Sequence, residues 1–235
     1  MKKICIIIAI AVSLCVVLPN TINCSIDDNV LTLINEVDGD LLLDTLIYLT
    51  SFGSRSSYEA QEEVLAFIGA ELDSAGATIQ LHEYEYNGHT WHNLVATVPG
   101  NASLEPSEPH LVVGAHIDSV SVSPGADDNA SGVSALMEAT RILAASYLTT
   151  RVDFVFFTLE EPGRIGSSYY AADARSSGEE IEAMIAVDMI AFGPADEDLD
   201  LVTKPSMAWI VEDFKEAVDT YTNLATTLVV QENCG

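Results

Sequence analysis

Basic residues are scarce in this sequence of 235 residues, in which 9 Lys and Arg stand against 36 Asp and Glu. The formal net charge is −27 at pH 7. Because a chain this acidic repels phosphate backbones and anionic lipid headgroups, nucleic acid and anionic membrane surfaces are not expected as partners. The acidity by itself favours solubility and indicates no particular chemistry.

Cysteines and long apolar runs are also scarce, and both are confined to the ends of the chain. Cys24 and Cys234 are the only cysteines after the first 15 residues, so the body of the chain carries no cysteine pattern to interpret. The apolar run from Ile4 to Leu18 follows Lys2 and Lys3 and is shorter than the roughly 20 residues of a membrane span.

This order of charged, apolar and polar segments is typical of a secretory signal peptide, which we expect over residues 1–24. Its removal predicts a secreted protein without stable membrane insertion. Lipid attachment at Cys24 is the alternative, although Thr21, Ile22 and Asn23 match that motif poorly. Residues 25–235 suffice for one domain with a sizeable core and are short for two.

The first half of the remaining chain predicts helices and then a hairpin. Apolar residues recur at helical spacing from Val30 to Thr50, where Gly39 is a candidate break, and again from Ser57 to Ala75. Thr78 to Tyr86 and Asn93 to Val98 then alternate as a strand pair.

The centre of the chain alternates short apolar runs with amphipathic segments. The runs Leu111 to Ala115, Val152 to Leu159 and Ala183 to Val187 predict strands that are covered on both faces. Between them, Ser131 to Ala145 and Ser167 to Ser176 predict helices. We therefore expect an α/β fold, a three-layer sandwich whose central, largely parallel mixed sheet is flanked by helices.

Imidazole and carboxylate side chains follow each of these predicted strands. His116, the pair Glu160 and Glu161, and Asp188 come after the three runs, and Asp128 precedes the first connecting helix. The carboxyl ends of parallel strands meet at one sheet edge, where acids without nearby Lys or Arg require cations. Imidazole with carboxylates suits zinc, and a bridging carboxylate can hold two ions.

The adjacent glutamates and Asp118 suggest a division of roles. One glutamate can shuttle a proton while its neighbour binds metal, and Asp118 is placed to fix the tautomer of His116. Each motif has a simpler interpretation when taken alone: a surface ion pair, a solvated charge run, or a helix cap at Asp127 and Asp128. Their joint placement after three strands favours the metal site.

Four segments carry a family resemblance: Val113–Ser119, Pro124–Gly132, Phe156–Ser167 and Ala186–Met189. In this order they resemble the di-zinc aminopeptidase family that includes secreted bacterial leucyl aminopeptidases and vacuolar aminopeptidases. The region of Ser54 and Arg55 resembles the family as well.

The resemblance implies a zinc-exopeptidase fold with two Zn²⁺ ions in an intact member. Asp128 would bridge the ions, and His116 and Asp188 would complete one site. Glu161 would bind the second ion, and Glu160 would be the general base. The resemblance also implies a cis peptide bond between Asp128 and Asn129.

One departure from the family concerns the second zinc site. The family takes a histidine there from a later Ser-Asp-His segment, whereas no histidine follows His116 here. The ending Gln231–Gly235 resembles a Cys-Gly stretch shortly before that ligand. We therefore expect a catalytic domain at 25–235 that is incomplete at its C-terminus, with one firmly bound zinc and possible loss of activity. The other histidines are interpreted as hairpin or strand-edge residues: His82, His89, His92 and His110.

The resemblance implies a zinc-dependent exopeptidase, chiefly an aminopeptidase acting on extracellular peptides. A hydroxide generated at the metal would attack the scissile carbonyl, with Glu160 moving the proton to the leaving amine. The alternatives are glutaminyl cyclase-like acyl transfer with a single zinc, and a catalytically inactive binding domain of the same fold. Nothing in the sequence indicates an oligomeric state.

Overall fold

The computed structural model describes residues 27–100, 108–192 and 198–232. The predicted signal peptide, Cys24 and Cys234 lie outside these ranges. The chain forms two compact units, and one of them comprises Asp38–Met189. All the residues predicted to form the metal site belong to this larger unit.

The larger unit is built on a five-stranded sheet with the order β1-β2-β4-β3-β5. The strands β1 and β2 and the strands β2 and β4 pair antiparallel, whereas β3 pairs parallel with both β4 and β5. The mixed sheet with a parallel centre is the predicted one. Its strands are β1 (Thr78–Tyr86), β2 (His89–Val98), β3 (His110–His116), β4 (Val152–Phe157) and β5 (Ile181–Ala186).

The two central parallel strands are buried along their whole length, because helices cover both faces of the sheet. The prediction of two-sided burial is wrong for β5. This strand lies at the sheet edge and exposes Glu182 and Met184.

Helices lie on opposite faces of this sheet and give three layers. Leu94 of β2 lies beside Gly69 on one face, while the next residue, Val95, packs with Tyr170 on the other. The predicted fold class is therefore confirmed. The helices of this unit are α2 (Gly39–Ser51), α3 (Tyr58–Ser74), α4 (Gly132–Ala144) and α5 (Ile165–Ser177). The helix α1 (Asp28–Asn35) precedes them in sequence and belongs to the smaller unit.

Local hydrogen bonds explain where the predicted helix over 30–50 divides into α1 and α2. The Asp38 carboxylate accepts the backbone N–H groups of Asp40 and Leu41, so it caps a new helix that begins at Gly39. Ser57 caps α3 in the same manner by accepting from Ala60. The second hairpin strand begins at His89, four residues earlier than predicted, because its first residues pair with β1.

The smaller unit contains elements that the sequence did not predict. The strands β6 (Leu199–Thr203) and β7 (Thr226–Val230) pair parallel, and α6 (Ala208–Tyr221) connects them. Buried residues of α6 include Ile210, Phe214 and Val218, which recur at helical spacing. Among all residues that the structure describes, no helix is both long and apolar enough to cross a membrane.

Candidate metal centre

Three side chains converge at the carboxyl edge of the central sheet. His116 is the last residue of β3, Asp188 lies two residues after β5, and Asp128 belongs to the irregular segment before α4. The His116 Nε2 atom lies 3.1 Å from Asp128 Oδ1 and 3.5 Å from Asp188 Oδ1. One potential ligand atom from each residue lies within 4.8 Å of the other two.

The His116 ring sits among negative charges with only 5% of the residue exposed. Neither ring nitrogen makes a hydrogen bond within the described part of the chain. Burial by itself would lower the pKa of His116, but the adjacent carboxylates of Asp118 and Asp188 outweigh it and raise the pKa to about 10. A buried, unpaired imidazole nitrogen that faces two carboxylate oxygens fits a divalent cation such as zinc.

Asp128 lies in a kinked segment, Ala126–Ser131, in which the backbone angles of Asp128 and Asn129 are non-helical. The peptide bond between these two residues is cis, as the resemblance implies. The buried Asn129 carboxamide donates to Val187 O at 2.8 Å and accepts the Gly132 N–H at 3.0 Å. Asn129 therefore ties the Asp128 segment to the end of β5, next to Asp188.

Asp118 lies behind this centre and is 1% exposed. Its Oδ1 atom lies 3.4 Å from His116 Nδ1, the ring nitrogen that faces away from Asp128 and Asp188. Its two oxygens accept the backbone N–H groups of Glu160 and Glu161, each at 3.0 Å. One carboxylate therefore contacts the histidine and holds the glutamate loop at the same time.

The two residues before the glutamates are held in the same way. Thr158 donates its backbone N–H to Asn93 Oδ1 at 3.0 Å, and Leu159 donates to Gln61 Oε1 at 3.2 Å. With the two N–H groups that Asp118 accepts, four consecutive backbone donors after β4 bind buried side chains. This network fixes a sharp turn in which Leu159 adopts a positive φ of 54°.

The glutamate side chains are partly buried in the field of the other acids. Burial raises the pKa of Glu160, Asp118 and Asp188 add to the rise, and His116 opposes it. Burial also raises the pKa of Glu161, with Asp128 as the largest neighbouring contribution. Both glutamates thus lie in the field of His116 and Asp118, with Asp188 acting also on Glu160 and Asp128 also on Glu161.

Arg55 is a structural residue of the site whose role the sequence did not reveal. It is 1% exposed, and its guanidinium donates to the carbonyl groups of Ile117, Leu49, Pro124 and Gly125. These contacts join the loop after β3 to the segment that leads to Asp128. In the sequence, the one indication of this role is that Ser54 and Arg55 lie in a region that resembles the family.

The structure thus brings His116, Asp128 and Asp188 together, with Asp118 directly behind. Glu161 is not part of that group of three, although one of its carboxylate oxygens is buried without a hydrogen bond among the described residues. The histidines interpreted as structural lie elsewhere; His82, for example, contacts Asn93 and Asp173.

The sequence of this chain is similar to those of known peptidases. Residues 93–235 match the model of peptidase family M28. Leucine aminopeptidase 1 of Fusarium vanettenii is 30% identical over 231 residues, which cover 90% of this chain and 56% of that protein. The chain spans about half the length of the fungal leucine aminopeptidases that it matches.

Solved structures share the fold at lower sequence identity. The LapA aminopeptidase of Legionella pneumophila superposes with a TM-score of 0.75 at 18% identity, covering 92% of this chain and 60% of LapA. A glutaminyl cyclase of Porphyromonas gingivalis superposes with a TM-score of 0.62 at 21% identity, covering 83% of this chain and 76% of the cyclase.

Proposed function

The chain belongs to peptidase family M28, and we propose that the protein is a zinc-dependent exopeptidase that removes N-terminal residues from peptides. The observation that carries this proposal is the convergence of His116, Asp128 and Asp188 at one sheet edge, beside a glutamate pair. The names of the fungal relatives support aminopeptidase action. The predicted signal peptide supports action outside the cell.

In this proposal His116, Asp128 and Asp188 hold one zinc ion, and Asp128 with Glu161 contributes to a second. Zinc bound there would act as a Lewis acid and lower the pKa of a coordinated water. The donor set fits this role, because imidazole and carboxylates are ordinary zinc ligands. The later histidine of the family's second site has no counterpart after His116 in this sequence.

The residues around the metal would orient the substrate and transfer the proton of the attacking water. The Glu160 carboxylate would accept a proton from the attacking water and deliver it to the nitrogen of the leaving amine. Its backbone N–H is bonded to Asp118, so the loop that carries it is fixed relative to His116. This arrangement limits the movement needed for proton transfer.

A panel of aminoacyl anilides tests the proposal in the full protein. We expect hydrolysis of the anilide bond to release the free aniline and the amino acid, and this release should stop when a chelator removes zinc and return when zinc is restored. A matched panel of N-acetylated aminoacyl anilides should be inert, because an aminopeptidase needs the free α-amino group. Release that persists in chelator, or no release from zinc-loaded protein, would contradict the proposal.

Glutaminyl cyclisation is the second candidate, since a glutaminyl cyclase shares the fold. That reaction uses the N-terminal amine of a glutamine peptide as nucleophile and releases ammonia. The paired glutamates and the Asp127–Asn129 triplet favour hydrolysis. Incubation with a peptide that begins with glutamine separates the two: hydrolysis gives free glutamine, whereas cyclisation gives a pyroglutamyl peptide of full length.

A further inference from the structure

A second group of metal-ligating side chains lies at the opposite end of the central sheet. His110 is the first residue of β3, Asp153 is the second residue of β4, and Glu179 lies between α5 and β5. One ligand atom from each lies within 4.8 Å of the other two. His110 and His116 begin and end the same strand, so about 20 Å of extended chain separates this group from the proposed catalytic centre.

The contact of one ring nitrogen of His110 indicates which of its two nitrogens carries the proton. His110 Nδ1 lies 3.2 Å from the carbonyl oxygen of Glu108, and a carbonyl can only accept, so Nδ1 carries the proton. In the neutral ring Nε2 then presents a lone pair. Histidine ligands of metals commonly show this pattern, with the second ring nitrogen donating to a backbone carbonyl.

That lone pair points into a buried, negatively charged pocket. The side chain of His110 is 0% exposed, that of Asp153 is 1% exposed and that of Glu179 is 23% exposed. His110 Nε2 has no hydrogen-bond partner among the described residues. A bare nitrogen beside carboxylate oxygens is unfavourable unless a positive charge lies between them.

The distances favour a metal ion over a proton as that charge. His110 Nε2 lies 3.6 Å from Asp153 Oδ2 and 3.5 Å from Glu179 Oε2. A hydrogen bond from an imidazolium to a carboxylate would be about 2.7–2.9 Å long. Two ligands of a tetrahedral zinc with bonds of about 2.0–2.1 Å are separated by roughly 3.3–3.4 Å, which is close to the observed spacing.

Arg151 shares the pocket and neutralises only part of its charge. Its guanidinium donates to both oxygens of Asp153, and the nearest nitrogen lies 4.0 Å from Glu179 Oε2. Thr97 adds a hydrogen bond to Asp153 Oδ1 at 2.7 Å. One arginine against two carboxylates leaves a net negative charge. Oδ1 is bonded by Arg151 Nε and Thr97, whereas Oδ2, which faces His110, also accepts from Arg151 Nη2, so a cation would have to share Oδ2 with that arginine nitrogen.

We propose that His110, Asp153 and Glu179 form a second, structural zinc site, independent of the proposed catalytic centre. A divalent cation there would join the start of β3, the start of β4 and the connection before β5. Since these strands also carry the catalytic residues at their other ends, the ion would stabilise the sheet without contacting substrate. The side chains offer one nitrogen and two oxygens, and the coordination shell leaves room for water.

Zinc competition with a chromophoric chelator tests this site in a variant from which the proposed catalytic zinc site has been removed. The background variant carries Asp128→Asn and Asp188→Asn, whose wild-type side chains are 46% and 52% exposed and tolerate amides. We expect this variant to bind one zinc and to gain thermal stability from it. Adding Glu179→Gln should weaken zinc binding by more than the roughly 10-fold to 100-fold that outer-shell partners cost.

Glu180→Gln in the same background is the matched control, because Glu180 is adjacent and exposed. It should retain both the affinity and the zinc-dependent rise in melting temperature. Replacing zinc by Co²⁺ should give visible absorption bands of a four-coordinate site, which Glu179→Gln abolishes. If the background variant binds no zinc, Arg151 is sufficient to offset the carboxylates and the proposal is wrong. Equal zinc affinity in the Glu179→Gln and Glu180→Gln variants would overturn it as well.

Discussion

Asp118 Oδ1 lies 3.0 Å from the backbone nitrogen of Glu160, and the same carboxylate lies 3.4 Å from His116 Nδ1. The sequence predicts only the contact with the histidine. The contact with Glu160 shows that Asp118 also determines where the glutamate loop lies. A change at Asp118 should therefore affect zinc affinity and turnover together.

We expect Asp118→Asn to weaken zinc binding about 10-fold to 100-fold, as losses of outer-shell carboxylates commonly do. An asparagine keeps the shape of the side chain but presents an NH₂ group to a backbone N–H of Glu160 or Glu161. Zinc competition with a chelator measures the change. Asp44→Asn, on the exposed surface of α2, is the control and should bind zinc as the wild type does. Wild-type affinity in the Asp118 variant would show that the contact with His116 is incidental.

Substitutions at the two adjacent glutamates should impair different properties of the protein. Glu160→Gln removes the proposed proton acceptor, so turnover should fall about 10²-fold to 10⁴-fold while zinc affinity is retained. Glu161→Gln removes a proposed ligand and should lower zinc affinity first. Steady-state kinetics at saturating zinc, with zinc content measured on the same samples, checks both. The opposite pattern would mean that the two roles are exchanged.

The larger part of the sheet could be predicted because its signal is local. Buried runs such as Val152–Phe157 are apolar at nearly every position, which is typical of parallel strands between helices. The sequence of the smaller unit shows no such apolar runs. The strands β6 and β7 have only five residues each and are partly exposed, so neither periodicity nor an apolar run marks them.

The candidate ligands could be predicted because they follow strands whose ends meet. The supporting contacts could not, because they join residues far apart in sequence through backbone groups that every residue possesses. Gln61, for example, accepts the N–H of Leu159, 98 positions away in the sequence, and the Arg55 guanidinium donates to backbone carbonyl groups such as those of Ile117 and Gly125. Side-chain chemistry in the sequence does not encode such partners.

Arg55 should contribute strongly to stability. Arg55→Met keeps much of the volume but leaves several buried carbonyl groups without their donor, and each orphaned group costs about 1–3 kcal/mol. We expect the free energy of unfolding to fall by at least about 3 kcal/mol in urea titrations. Arg175→Met makes the same change at an exposed position and should cost within about 0.5 kcal/mol. Equal losses in the two variants would show that the carbonyl contacts are unimportant.

Zinc titration tests the unequal metal sites of the proposed catalytic centre. In a Glu179→Gln background, which removes the ligand cluster at the other end of the sheet, we expect one tight zinc and a second weak one. Asp188→Asn should remove the tight ion, whereas Asp200→Asn, at another exposed aspartate, should not. The reason is that the first ion would take His116, Asp128 and Asp188, whereas the second would take Glu161 and share Asp128. Two equally tight ions would contradict this expectation.

A comparison of alanine substitutions at Gly125 and Gly53 separates the effect of backbone strain from that of steric overlap near Asp128. Both have positive φ, 58° and 70°, so an alanine at either position costs roughly 1–2 kcal/mol in backbone energy. A Cβ at Gly125 would also lie 2.2 Å from Asp128 O and 2.6 Å from Ser119 Cβ, whereas at Gly53 it meets nothing within 4 Å.

Gly125→Ala should therefore destabilise the protein by about 1–3 kcal/mol more than Gly53→Ala, since overlap in a packed region adds to the strain. It should also lower zinc affinity, because the backbone of Asp128 must move to admit the methyl group. Urea unfolding and zinc competition on both variants measure the two effects. If Gly125→Ala and Gly53→Ala lose the same stability and keep the same zinc affinity, the segment around Asp128 is free to shift, and its position does not determine the metal site.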